Sequence, residues 1–129
     1  MINYGFTKEL SIPFEQTVEV VAQELKKEGF GILTKIDVKE KFKEKLGIDF
    51  KKYVILGACN PSSAHQALLA EQNIGLMLPC NVIVYEKDDK TVISIIRPTV
   101  AMEMINNEEL KKIAVHVETQ LKKAFDSIQ

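Results

Sequence analysis

The 129 residues carry 46% hydrophobic and 27% charged side chains at a net charge of −1, the proportions of one ordinary globular domain. The two signs are interspersed, which excludes a basic nucleic-acid face and an acidic tail, and no apolar run reaches the length of a membrane span. Two cysteines in a chain long enough to bury a sizeable core exclude a disulfide framework, so the expected setting is cytoplasmic, with reduced thiols and no charged-then-apolar leader.

Residues 2 to 12 place Ile2, Tyr4, Phe6, Leu10 and Ile12 on one parity, which predicts a half-buried strand. Lys8 breaks that parity and suits an edge. Pro13 fits a first helical turn, Phe14, Val18, Val21 and Leu25 follow at helical spacing, and Gly29 stops the helix. Alternation returns through Phe30, Ile32, Ile36 and Val38. Asp37 with Glu40 then resembles a capping box for a short lysine-rich helix that ends at Gly47. "YVILGA" reads as a central strand, and a helix from Asn60-Pro61 to about Gln72 follows it. "GLMLPCNVIVYE" and "TVISIIR" predict a hairpin around Lys87-Asp88-Asp89-Lys90, and "PTVAMEM" one further helical turn. The last helix carries a stripe from Leu110 to Ile128, with Asn106 or Asn107 as its cap.

The order β-α-β-α-β-α-β-β-α predicts an α+β two-layer sandwich: an antiparallel or mixed sheet of five to six strands with helices on one face, as a single domain over 1–129. Pro79 cannot donate to a ladder, so its strand is expected at an edge or bulged.

Chemistry-bearing residues concentrate in "GACNPSSAH", 57 to 65, and in "LPCN", 78 to 81. Asn60 before Pro61 is a good helix cap, and the same helix start offers free N–H groups and the Ser62 and Ser63 hydroxyls to an anion. Cap and anion compete for those donors. Cys59 lies where a helix N-terminus can lower a thiol pKa, although free cysteine is also a common core residue. Cys80 shares parity with Leu78, Val82 and Val84, which predicts an inward thiol. Were Cys59, His65 and Cys80 to converge, three N/S ligands would suit an open zinc-type site, with Asn60, Ser62, Ser63 and Asn81 available to a small ligand. His116 falls off its helix's apolar stripe and reads as solvated. Arg97, the single arginine among 17 basic residues, is the only side chain able to fork onto an anion. No phosphate loop, paired-histidine zinc motif or nucleophile elbow occurs.

"LGACNPSSAHQAL" followed by "IGLMLPCNVIVYE" resembles the bacterial and archaeal domain of unknown function 302 family. The similarity extends over most of the chain, from "GFGILTKIDVKEKFKEKLG" to the final helix. The resemblance implies a two-layer fold grouped with the TATA-box-binding-protein-like folds and a homodimer, and it carries no catalytic role. Its motif positions fall on Cys59, Asn60, Pro61, Ala64, His65, Leu78, Pro79, Cys80 and Asn81. The family more often has an acidic residue where Arg97 precedes Pro98. The fold label is no argument for DNA binding. Three function classes therefore stand: a domain binding a small ligand or thiophilic metal, a structural or protein-interaction module, and a cysteine-dependent enzyme. The enzyme requires a thiol of depressed pKa.

Overall fold

The computed structural model describes residues 2–129. Five strands, β1 (Gly5–Leu10), β2 (Gly31–Asp37), β3 (Tyr53–Cys59), β4 (Cys80–Lys87) and β5 (Lys90–Ile96), form one antiparallel sheet in the order β1-β5-β4-β3-β2. The helices are α1 (Phe14–Lys27), α2 (Val38–Leu46), α3 (Pro61–Ala70), the short α4 (Pro98–Ala101) and α5 (Glu108–Ser127), with a 3-10 turn over Gln72–Met77. This is the two-layer α+β sandwich that the element order predicts.

Pairing follows from alternation. Val54, Leu56 and Ala58 of β3, Cys80, Val82 and Val84 of β4, and Ile93 and Ile95 of β5 turn one way and meet Val21 and Leu25 of α1 and Val117, Leu121 and Phe125 of α5. That layer is the main core. Lys8 on the edge strand β1 also points toward the helices. There its ammonium donates at 2.6 Å to the Phe125 carbonyl near the end of α5, which also accepts from the Ile128 N–H, and lies over the Phe125 ring. Burial lowers its pKa, with Asp126 opposing. An inward charge on an edge strand also discourages strand addition.

Helix ends follow local chemistry. The Asp37 side chain accepts from Glu40 N–H, Asn107 from Leu110 N–H and Asn60 from Ser63 N–H, while Gly47 closes α2 in the left-handed region at φ 67°.

Two expectations fail. The strand after Pro79 is interior, between β5 and β3, and the sheet's irregularity lies instead in β2, between Ile32 and Thr34. Pro79 stands just before the first ladder residue, so its missing N–H removes no sheet bond. The strand is also shorter than its apolar run: Ile74 and its neighbours form the 3-10 turn, with Ile74 buried in a second, smaller cluster.

Candidate functional site

The end of β3, the start of α3 and the start of β4 lie side by side because Ala58 pairs with Cys80. Gly57 makes this approach possible, since a Cβ there would collide with Thr34 Oγ1 and with the Pro79 ring. Pro79 thus packs flat against β3 and brings Cys80 in beside Ala58. On the helix side the second cluster, Ala67, Ile74, Met102, Leu110 and Ala114, closes over the junction. Two of its members, Ala67 and Ala114, are small, and an apolar cavity of about 40 Å³ remains. Cys59, Cys80, Asn60, Ser63, Ala67 and Met102 are among the residues that line it. That volume has room for a few waters or one compact ligand, not for a drug-sized molecule.

The thiols differ in environment. Cys80 is buried on the helix-facing side of β4; Cys59 ends β3, paired with Gly31, and is half-buried at the cavity. Burial pushes the Cys59 thiol up, and burial together with the nearby Cys59 charge pushes Cys80 up to about 11. Among the described residues, no lysine, arginine or histidine lines the cavity to oppose this. The lowered thiol pKa that a helix N-terminus can produce is absent at both positions, where burial raises it instead. A thiolate nucleophile at neutral pH has no support here.

The structure brings together only part of the expected set. Cys59, Asn60, Ser63 and Cys80 share the cavity. His65 does not join them. With Ser63 and Ala67 on the buried side of α3, residue 65 falls near the opposite side and is exposed. Ser62 is exposed too, and Asn81 alternates with Cys80 and Val82 onto the face away from the helices. Among the described residues no three His, Cys, Asp or Glu side chains gather as a metal-holding group. The Cys59/His65/Cys80 convergence is therefore corrected by the phase of α3. The helix-start anion site is also weakened, because the Asn60 cap takes the Ser63 N–H at 3.2 Å.

Arg97 is spent inside the fold. Its Nε donates to Glu118 at 3.2 Å and its Nη1 to the Asn3 carbonyl, while the other Glu118 oxygen accepts from the Thr99 N–H and hydroxyl. This ties α4 to α5 rather than presenting a fork to solvent. His116 is exposed, as its helical phase predicts, and among the described residues no helix is long and apolar enough to cross a membrane.

The family model described as "Domain of unknown function DUF302" matches residues 6–128. The chain belongs to the DUF302 family. A crystal structure of an uncharacterized conserved DUF302 protein from Bacillus stearothermophilus superimposes with a TM-score of 0.90 at 36% identity, over 98% of each chain. No curated protein matches. The resemblance carried by the two Cys-Asn segments is thus confirmed at the level of family and fold, and this DUF302 chain places both cysteines on one cavity.

Sequence reasoning missed Gly57, Ala67, Met102 and Ala114. Three of these are small or flexible apolar residues whose role is to leave room, and no motif marks that. Gly57 alone carried a signal, as a glycine inside a strand pattern, which often means close backbone approach.

Proposed function

We propose that this domain is a binding protein whose small ligand occupies the cavity at the β3–α3 and β4 junction. One observation carries the reading: at the border of Cys59, Cys80, Asn60 and Ser63 an almost wholly apolar space is left unfilled in an otherwise closely packed fold. Neither thiol is held as a thiolate, so binding is favoured over nucleophilic catalysis. Xenon is a suitable probe, because it enters small dry cavities. Under xenon pressure, methyl resonances of Ala58, Ala67, Leu110 and Ala114 should shift together while those of Val84 and Ile93 stay in place. Uniform small shifts across the chain, or none at the cavity, would sink the reading.

A second surface supports the homodimer. Ile36, Ile55 and Ile83 form one row across β2, β3 and β4 on the face away from the main core, beside the stacked pair Tyr53–Tyr85 at 5.2 Å. Ile36 is 46% exposed. An uncharged row can face a copy of itself across a two-fold axis. Five strands about 4.8 Å apart and roughly 20 Å long give about 1,000 Å² of flat area for two copies, near the lower bound of a specific interface. Light scattering should give a dimer mass, and Ile55→Lys with Ile83→Lys a monomer. A wild-type monomer at high concentration overturns this.

A further inference from the structure

α2 stands apart from the helices that cover the main core. Its main contacts are with β2 and β3, not with α1 or α5. Among the described residues, nothing from Val38 to Phe50 joins either buried cluster. Its aromatic contacts lead instead to the outer sheet face: Phe42 meets Phe50 edge-on at 5.1 Å, and Phe50 lies 6.4 Å from Tyr53 of the stacked tyrosine pair. The apolar side of α2 is left open, with Leu46 65% exposed and Ile48, just beyond the helix, 47%. A nine-residue helix that buries nothing is marginal by itself, so cover from outside the chain would stabilise it.

Two side chains point to that cover. Lys45, beside Leu46, and Glu9, on the outer face of β1, have no ion-pair partner among the described residues. They belong to the same end of the sheet but to opposite edges. α2 leaves β2 after Asp37, which pairs with Val54, and the next row runs Tyr53, Tyr85, Val92, Glu9. Two sheets packed face to face stand about 10 Å apart, and a helix is about 10 Å across, so α2 at one edge spans that gap. A two-fold axis running across the strands would set the two α2 walls against each other. An axis along β4, the central strand, sets each α2 over the partner's β1 edge instead, at the end that carries Glu9. We propose that α2 is the clasp of the homodimer: each copy's α2 closes on the outer face of the partner's β1, with Lys45 against the partner's Glu9. This deepens the sheet-face dimer above and rests on it.

Charge and area both favour the clasp. α2 carries four lysines and two glutamates, and the hairpin acids Asp88 and Asp89 lie at the same end of the sheet as Glu9. The sheet faces alone give about 1,000 Å². Two clasps, each about 14 Å by about 10 Å and counted on both sides, add on the order of 500 Å². The total falls inside the range of a specific, stable interface rather than at its lower bound.

The test is sedimentation velocity of the full chain over a dilution series, with substitutions at the clasp. Leu46→Gln should weaken the dimer at least about tenfold. It should leave the unfolding midpoint of the dilute monomer unchanged, since Leu46 packs in neither core. Glu9→Lys and Lys45→Glu should each weaken the dimer about fivefold, and the two together should return it to within about twofold of wild type. Zero-length carbodiimide coupling in a mixture of isotopically light and heavy chains should join Lys45 of one copy to Glu9 of the other. Wild-type dimer affinity in Leu46→Gln overturns the clasp and leaves the sheet-face dimer standing. So do additive losses in the charge swap, or coupled peptides that join one α2 to the other. A wild-type monomer at high concentration removes both the clasp and the dimer on which it rests.

Discussion

The main core and the smaller cluster beneath α3 and α4 bury apolar side chains to different ends. In the main core Phe30, Leu25, Leu56, Ile93, Ile95, Leu121 and Ile128 are almost fully enclosed, and large side chains from the sheet meet large ones from α1 and α5. The smaller cluster relies on Ala67 and Ala114 where its helices approach, with Met102, Leu110 and Ile74 around them. Large side chains interdigitate and close a core. Small ones let backbones come near without filling the space between side chains, so a cavity persists at the cluster's border with the sheet. One region secures the fold; the other leaves room beside two thiols.

The sharpest way to break this comparison is by truncation. Leu121→Ala removes a fully buried side chain from the main core and should cost about 2–5 kcal/mol, read as a lower denaturant midpoint. Met102→Ala, at the border of the cavity, should cost at the low end of that range, because its neighbours already adjoin a void. Equal losses at both positions would mean that the two regions are packed alike.

The second test uses pH. Cys80 titrates near 11 in the folded chain, above the ordinary thiol value of 9.0 from which burial raises it. A raised folded pKa contributes stability that is present below the unfolded pKa and lost as pH climbs through the folded one. Between about pH 9 and about pH 11 the wild type should therefore lose about 2 kcal/mol that Cys80→Ala does not lose. Unfolding curves of the two proteins across that window give the difference directly, with the lysines common to both. Parallel pH dependence would mean that Cys80 is not desolvated.

Overfilling compares the regions at still smaller cost. Ala124 lies in the main core and Ala67 at the cavity, both buried and both on helices. Ala124→Leu should cost about 1–3 kcal/mol by overpacking, and Ala67→Leu less than about 1 kcal/mol, because its added atoms enter existing space. Ala67→Leu should also abolish the xenon response. If both substitutions cost the same, the cavity closes in solution.

How far the sequence shows this division depends on the kind of signal. Strands and helices announce themselves by period, and the hairpin around Asp88, the Asn60, Asp37 and Asn107 caps and the inward Cys80 all appear in the structure as expected. Pro79 misleads, because a proline inside an apolar run is indistinguishable from one placed just before a strand. His65 misleads for a different reason: adjacency in sequence to Cys59 says nothing of helical phase until the inward residues, Ser63 and Ala67, are known. Met102 could not be found at all. It reaches the cavity from the turn after α4, far along the chain from both cysteines, and a lone methionine has no spacing to read.

The smallest expected effect concerns the cap that joins the two features of "CNPSS". Asn60→Ala removes the acceptor for the Ser63 N–H and should cost about 1 kcal/mol. Asn60→Asp keeps an acceptor and adds a negative charge at the α3 N-terminus, so it should restore that stability or exceed it slightly. The same charge stands next to Cys59, which it should make still harder to ionise, slowing alkylation of that thiol at fixed pH. Stability and thiol reactivity would then move in opposite directions in one variant. If Asn60→Asp leaves the Cys59 alkylation rate unchanged, the cap and the cavity are electrostatically separate, and the position of Cys59 beside the helix start is a matter of chain order alone.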